Sequence, residues 1–228
     1  MGIWNDFIQL FFPRLCVACE KKLIDSEQFL CLECLHSLPR TSYISRPMNP
    51  LEVFFAGRVP FERVASFAYF SKEGMLQKIV HELKYGDNPE LGEFLGKWIY
   101  RENSSASFFD SIDCVVPVPL HPKRLDKRGY NQSYHIAKGL GQSSGIPVFA
   151  DHLVRVIDNP SQTTLGRTER WANVKNIFSV NNPDQFRGKH ILLVDDIFTT
   201  GSTLESCARQ LLECGDVRLS ILAVGSTI

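Results

Sequence analysis

One stretch near the carboxyl end of the chain, residues 191–203, constrains the fold more than any other. It begins with four apolar residues (Ile-Leu-Leu-Val), which predict a short strand buried on both faces, as in a parallel sheet. Two adjacent carboxylates, Asp195 and Asp196, end the predicted strand. A Thr-Thr-Gly-Ser-Thr turn follows, and residues 204–214 then show a helical pattern that Gly215 ends. Ligands of such units bind outside the carboxyl ends of the strands, so we expect a binding site here.

The turn after this strand has the residue types that surround a phosphate. Free backbone N–H groups at a helix start and the helix dipole both favour an anion. The two carboxylates are unsuited to a phosphate, but they suit sugar hydroxyls or a hard cation that bridges to a pyrophosphate. The alternative is an ordinary strand, turn and helix with a Ser/Thr cap, which the complete set of residues in order disfavours. The residues expected around the phosphate are Thr199, Thr200, Gly201, Ser202 and Thr203.

A second buried strand is predicted over residues 112–119, and a basic stretch follows it. Prolines stiffen the turn, and fixed N–H groups together with Arg and Lys charges can hold a pyrophosphate. Two other interpretations stay open: a solvated basic loop capped by Asn131, and a patch for DNA phosphates that salt-dependent binding would test. The candidate pyrophosphate residues are Arg124, Arg128, Asn131 and Gln132.

These motifs resemble those of a known family. Val-Asp-Asp-x-x-Thr-Thr-Gly-x-Thr at residues 194–203 resembles the phosphoribosyl pyrophosphate (PRPP) loop of type I phosphoribosyltransferases. Pro-Val-Pro-x-His-x-x-Arg and Arg-Gly-Tyr-Asn-Gln within residues 117–132 narrow the resemblance to the ComF family of competence-associated phosphoribosyltransferase-like proteins. Gln-x-x-Leu-x-x-x-x-Arg-x-x-Asn-Val at residues 162–174 also matches that family. The resemblance implies an α/β fold of the type I phosphoribosyltransferase kind with a mainly parallel sheet, preceded by a small zinc ribbon.

The resemblance also implies a reaction. Ribose 5-phosphate would pass from PRPP to a nitrogenous acceptor with release of pyrophosphate, with Mg²⁺ as cofactor. Asp195 and Asp196 would hold the ribose hydroxyls and the metal, and Arg170 or Arg167 would neutralise the departing pyrophosphate. Lys84 would face the active site, although a solvated lysine at a helix end is an equal alternative and the glycine of its Lys-Tyr-Gly motif stands one place early. The loop expected to close over the sugar contains Gln162, Leu165, Arg167, Arg170 and Asn173.

An alternative function keeps the fold and omits the reaction. The chain would then be a non-catalytic PRPP- or nucleotide-binding module in natural transformation, acting through single-stranded DNA or a helicase-like partner. The sequence has 25 Lys and Arg against 25 Asp and Glu, so its net charge is zero, which disfavours direct DNA binding as the main activity. No motif specifies a purine or pyrimidine pocket, so the acceptor base stays unassigned.

The N-terminal part of the chain carries two Cys-x-x-Cys pairs separated by eleven residues. Such knuckles suit one tetrahedral Zn²⁺, and a segment this short needs metal binding for its folding free energy. A redox dithiol is the weaker alternative. We therefore predict a domain over residues 1–50, containing an N-terminal helix and a zinc ribbon, and a phosphoribosyltransferase-like domain over 51–228. The predicted zinc ligands are Cys16, Cys19, Cys31 and Cys34.

Composition limits where the chain can act. An odd number of cysteines, four of them in paired motifs, favours a reducing cytoplasm over a disulfide framework. Apolar runs fall far short of about 18 residues, so no membrane insertion is expected. The apolar segment 3–12 is predicted to be a short helix docked on the core, with a partner-binding or membrane-touching helix as the alternative. Residues 41–60 are rich in proline and indicate a linker.

Overall fold

The computed structural model describes residues 13–157 and 177–228. The predicted helix over residues 3–12 lies outside these ranges. The strands described are β1 (Arg63–Tyr69), β2 (Cys114–Pro117), β3 (Leu153–Arg155), β4 (Phe178–Val180), β5 (His190–Phe198) and β6 (Arg218–Ser226). The α-helices described are α1 (Leu32–Ser37), α2 (Pro50–Phe55), α3 (Met75–Tyr85), α4 (Pro89–Asn103), α5 (Pro122–Arg128), α6 (Gln132–Ser144) and α7 (Ser202–Leu212).

A four-stranded parallel sheet with the order β1-β6-β5-β2 forms the centre of the fold. In its register Pro117 lies opposite Val194, and Asp195 lies opposite Ala223. β2 therefore ends beside Val194, so the basic stretch that follows β2 begins next to the acidic pair that follows Val194. This arrangement confirms the predicted α/β class with a mainly parallel sheet. A separate antiparallel pair, β3 with β4, flanks the gap in the described chain.

The central strand β5 is longer than predicted. The carboxylates of Asp195 and Asp196 were expected to end it, but the strand continues to Phe198. Ile197 pairs with Gly225, and the Phe198 side chain is buried. The strand continues past the carboxylates because the Phe198 ring is buried and two more residues of β5 pair with β6. Asp195 and Asp196 therefore belong to the sheet rather than to a loop.

The linker predicted over residues 41–60 is wrong for its second half, which folds as α2. The prediction took proline as a sign of a linker. Pro50 instead lies in the first turn of α2, where its missing N–H group would have no partner within the helix, so proline is tolerated there. The Asn49 side chain is fully buried; it accepts hydrogen bonds at the start of α2 and donates one to the Val64 carbonyl at 2.9 Å. Since Val64 belongs to β1, this bond fixes α2 to the sheet.

The cysteine-bearing segment packs against α4. The Arg40 guanidinium lies 5.1 Å from the centre of the Trp98 ring and donates hydrogen bonds to both carboxylate oxygens of Glu102, at 2.9 and 3.2 Å. The Phe29 and Phe94 rings meet edge to face, with centroids 5.5 Å apart. The predicted domain boundary at residue 50 is thus spanned by an aromatic and charged interface, and the boundary itself stays a prediction.

Helices α4 and α6 touch backbone to backbone through two glycines. A Cβ built on Gly96 would lie 2.0 Å from the Ile136 carbonyl oxygen, and one built on Gly139 would lie 2.0 Å from the Glu93 carbonyl oxygen. Only glycine permits this approach, which presses α6 close to α4. Within the described residues no helix is long and apolar enough to cross a bilayer.

We expect Gly96→Ala to lower the free energy of unfolding by about 1–3 kcal/mol, because the added methyl group must push α6 away. Alanine's better helix propensity, worth about 1 kcal/mol, opposes this loss only in part. Urea unfolding at equilibrium measures the change. Gln142→Ala, on an exposed position of α6, is the control and should stay within about 0.5 kcal/mol of the wild type. Equal stability of Gly96→Ala and the wild type would contradict the close contact.

Candidate functional site

The acidic pair near the carboxyl end of β5, Asp195 and Asp196, is held by two side chains from different helices. The Lys84 ammonium, from the last turn of α3, lies 2.8 Å from Asp196 Oδ2. The Ser133 hydroxyl, from α6, donates to Asp195 Oδ1 at 2.9 Å. Both aspartates also accept from backbone N–H groups: Asp195 from that of Asp196 at 2.9 Å, and Asp196 from that of Ile197 at 2.6 Å. Lys84 is therefore an ion-pair partner of the acidic pair rather than a solvated helix-end lysine.

Asp195 is the strongly perturbed group of this pair. Burial raises the pKa of its carboxyl to about 7, and the neighbouring charge of Asp196 acts in the same direction. The hydrogen bonds from the Asp196 N–H and the Ser133 hydroxyl and the charge of Lys84 oppose the rise without cancelling it. Near neutral pH the Asp195 carboxyl is thus divided between its neutral and ionised forms, and a bound cation or hydroxyl can shift that balance.

The raised pKa of Asp195 predicts a pH-dependent stability difference. The folded chain binds more protons at Asp195 than the unfolded chain between its ordinary pKa of 3.8 and about 7. This carboxyl consequently destabilises the fold as pH rises through that window. Asp195→Asn removes the effect, so its unfolding free energy relative to the wild type should increase by about 2–3 kcal/mol from pH 5 to pH 8. Urea unfolding at both pH values tests this, and an identical difference at both would refute it.

The turn between β5 and α7 presents a helix start to solvent. Gly201 is the N-cap of α7, with φ of +71°, and a Cβ there would lie 2.9 Å from Cε2 of Phe55. Having no side chain, this N-cap does not itself occupy the first N–H groups of α7. The hydroxyls of Thr200 and Ser202 are 2.8 Å apart. The exposed members of the turn are Thr199, Thr200, Ser202 and Thr203.

The basic stretch is a two-turn helix, α5, rather than the loop that was predicted, because His121 caps its start and Pro122 occupies its first turn. It lines a cavity of about 500 Å³ together with the end of α3. Arg128 lies 5.7 Å from the centre of the exposed Tyr85 ring. The cationic side chains around this cavity are Lys84, Arg124, Lys127 and Arg128.

Asn131 and Gln132 form hydrogen bonds with residues on either side of the basic stretch and within it. The Asn131 side chain caps α6 by accepting from the Ser133 N–H at 3.0 Å, and it donates to the Val118 carbonyl at 3.0 Å. Gln132 is buried, and its side-chain oxygen accepts from Arg128 at 2.9 Å. The sequence left open whether Asn131 is a capping residue or a pyrophosphate ligand, and in the structure its side chain caps α6.

Two residues near the site were missed by sequence reasoning. Ser133 stands directly after the Asn-Gln motif, and this adjacency was the only signal for it. Arg58 lies in the segment predicted to be a linker, and no sequence motif indicates a role for it in the site. The candidate residues Gln162, Leu165, Arg167, Arg170 and Asn173 lie outside the described residues.

The four N-terminal cysteines form a compact cluster. Their sulfur atoms all lie within 4.8 Å of one another, and Cys19 Sγ is 3.7 Å from Cys31 Sγ. Bonds of about 2.3 Å to a tetrahedral zinc would separate two sulfurs by about 3.8 Å, so the spacing fits such an ion. Burial raises the pKa of Cys16, but backbone N–H groups led by that of Cys31 outweigh it and lower this pKa to about 7. Burial raises the pKa of the Cys31 and Cys34 thiols, so these two sulfurs would give up their protons on binding a metal.

Comparison with known proteins extends over nearly the whole chain. The family model described as "Phosphoribosyl transferase domain" matches residues 83–224. "DNA utilization protein YhgH" of Salmonella typhimurium is 27% identical over 96% of this chain and 100% of that protein. "Competence protein F" of Haemophilus influenzae is 24% identical over 90% of this chain and 93% of its own length. "Competence protein ComFC" of Bacillus subtilis is 32% identical over 64% of this chain and 57% of that protein.

The family match includes the end of α3, the basic stretch, the acidic pair and the turn before α7, which are the elements that meet at one edge of the sheet. The relatives extend the similarity to the cysteine-bearing segment, since two of them cover nine-tenths or more of this chain. Similarity to the YhgH and competence proteins confirms the predicted resemblance to the ComF family, and the chain belongs to the phosphoribosyl transferase domain family.

Proposed function

We propose that this protein binds PRPP and transfers its ribose 5-phosphate to a nitrogenous acceptor, with release of pyrophosphate. One observation carries the proposal: Lys84 and Ser133 hold the two carboxylates of β5 directly ahead of a glycine-capped helix start. Carboxylates and free helix N–H groups a few residues apart suit a ligand with sugar hydroxyls at one end and a phosphate at the other.

The turn would bind the 5-phosphate. The N–H groups at the start of α7 and the hydroxyls of Thr199, Thr200, Ser202 and Thr203 are donors, and a phosphate needs donors. Asp195 and Asp196 would accept hydrogen bonds from the ribose hydroxyls. Because the Asp195 pKa is raised to about 7, ligand binding that favours its ionised form should release a fraction of a proton at neutral pH.

The cationic cavity beside α5 would receive the pyrophosphate. As the acceptor nitrogen bonds to the ribose C1, the C1–O bond breaks and its electron pair leaves with pyrophosphate. Lys84, Arg124 and Arg128 would stabilise the charge that develops on that oxygen. Asp195 and Asp196 would hold Mg²⁺, which would supply further positive charge to the departing pyrophosphate. For Gln162, Leu165, Arg167, Arg170 and Asn173 we retain the proposal of a loop that closes over the sugar, with Arg170 beside the leaving group.

The cysteine cluster would hold a structural Zn²⁺. With four sulfurs as ligands no coordination position is left for substrate, so the metal would stabilise the segment rather than take part in the chemistry. From the reduced state of such a cluster we also retain the proposal that the protein works in the cytoplasm.

A second candidate function rests on the names of the relatives, "DNA utilization protein" and "Competence protein". On this proposal the chain acts in the use or uptake of DNA, either through the transfer reaction or as a non-catalytic PRPP-binding module with single-stranded DNA or a helicase-like protein as partner.

Release of pyrophosphate from PRPP, measured with Mg²⁺ and a panel of purine, pyrimidine and simple amine acceptors, separates the transferase from the non-catalytic PRPP-binding module. The transferase proposal predicts turnover with at least one acceptor and its loss in Lys84→Met. Saturable PRPP binding without turnover across the panel would favour the non-catalytic module.

A further inference from the structure

We propose that Arg58, from the segment that follows α2, is a positioning residue for the turn between β5 and α7. This inference rests on the proposed function, because it concerns how that turn is prepared for the 5-phosphate of PRPP. Arg58 lies far from the turn in sequence, yet its guanidinium donates to the Thr200 carbonyl at 3.0 Å.

Arg58 reaches the turn from a rigid base. The Phe54 and Phe55 rings of α2 lie 5.6 Å, centroid to centroid, from the ring of Phe198, the last residue of β5. The Arg58 guanidinium lies 4.0 Å from the centre of the Phe54 ring, close enough for a cation–π contact. The backbone carbonyl of Arg58 in turn accepts a hydrogen bond from Arg209 of α7 at 2.8 Å. Segment 54–58 therefore contacts the end of β5 through Phe198 and the last turn of α7 through Arg209, the two elements that the turn connects.

The positive charge of Arg58 has a second effect, on the carboxylate of Glu205. Glu205 lies in the first turn of α7, where its carboxylate would repel a phosphate bound at the same helix start. Glu205 is 3.8 Å from the Arg58 guanidinium and 2.8 Å from that of Arg209. Arg58 thus fixes the Thr200 carbonyl and also offsets a carboxylate that would otherwise oppose the anion.

The test is a charge-rescue cycle, read by calorimetric titration of PRPP with Mg²⁺ and, separately, of inorganic pyrophosphate with Mg²⁺. Arg58→Gln should weaken PRPP binding about tenfold, because Glu205 is then offset by one cation fewer. Pyrophosphate binding should stay within about twofold, since the cationic cavity is untouched. Arg58→Gln combined with Glu205→Gln should return PRPP affinity to within about threefold of Glu205→Gln alone, and the remaining loss is that of the hydrogen bond to the Thr200 carbonyl. A contact that was only structural would not be rescued by removing the carboxylate.

Arg58→Lys keeps the charge and guards against a loss due to misfolding; it should bind PRPP within about threefold of the wild type. The inference fails if Arg58→Gln binds PRPP as the wild type does, if both ligands weaken equally, or if Glu205→Gln brings no recovery. Each of these outcomes requires a wild type that binds PRPP. A wild type that does not bind PRPP overturns the proposed function itself, together with the role of Arg58.

Discussion

Replacing both carboxylates of β5, as Asp195→Asn with Asp196→Asn, is expected to weaken binding of PRPP with Mg²⁺ at least about a hundredfold. Both changes remove a charge that a ribose-bound metal needs, and Lys84 loses its ion-pair partner 2.8 Å away. An unpaired ammonium would then stand where the cation has to bind. Isosteric asparagines keep the side-chain volume, so the fold is preserved and the loss is specific to the ligand.

Three measurements interpret that result. The double variant should keep the zinc content and the circular dichroism of the wild type. Asp184→Asn, at an exposed position outside the site, is the matched control and should bind PRPP as the wild type does. Undiminished PRPP binding by the folded double variant would remove the acidic pair from the site.

The second large effect is expected at the cysteine cluster. Cys31→Ser takes one of four thiolates from a set whose sulfurs lie within 4.8 Å of one another. A structural zinc contributes on the order of 10 kcal/mol to the folding of a small module, so its loss should unfold the segment around residues 16–38. We expect one equivalent of zinc in the wild type and less than about a tenth in Cys31→Ser, measured by mass spectrometry of the metal.

A cysteine outside the cluster provides the control. Cys214 is buried two residues past the end of α7, and Cys214→Ser should retain a full equivalent of zinc. Because Arg40 and Phe29 join the cysteine segment to α4, unfolding of that segment should also expose the face of α4 around Trp98. Tryptophan fluorescence should then shift to longer wavelength in Cys31→Ser but not in Cys214→Ser. A full zinc equivalent in Cys31→Ser would contradict the predicted ligand set.

Periodic and motif-bearing parts of the fold could be predicted from the sequence. The apolar run before Asp195 predicted the central strand, and apolar residues at helical spacing occur over residues 73–85 and 89–101, where α3 and α4 lie. Local patterns succeed there because each element buries its own apolar face. The linker failed because Asn49 and Pro50 are turn formers in isolation, and only the distant Val64 carbonyl makes them the start of a buried helix.

The residues of the candidate site likewise fall into those that the sequence predicts and those that only the folded structure brings together. Asp195, Asp196 and the turn residues are contiguous in sequence, so their chemistry could be inferred directly. Ser133 and Arg58 act on them across 62 and 142 positions of the chain, a proximity that only the folded sheet creates. The raised pKa of Asp195 likewise follows from burial and from the charge of Asp196, neither of which is visible as a motif.

The central claim is that PRPP binds where the carboxyl-terminal parts of β2 and β5 meet the start of α7. Calorimetric titration of zinc-loaded wild type with PRPP and Mg²⁺ tests it most directly. The proposal predicts saturable binding at one site per chain, with weaker binding when Mg²⁺ is withheld. The absence of binding to the folded, zinc-loaded protein would contradict both the transferase and the PRPP-binding module.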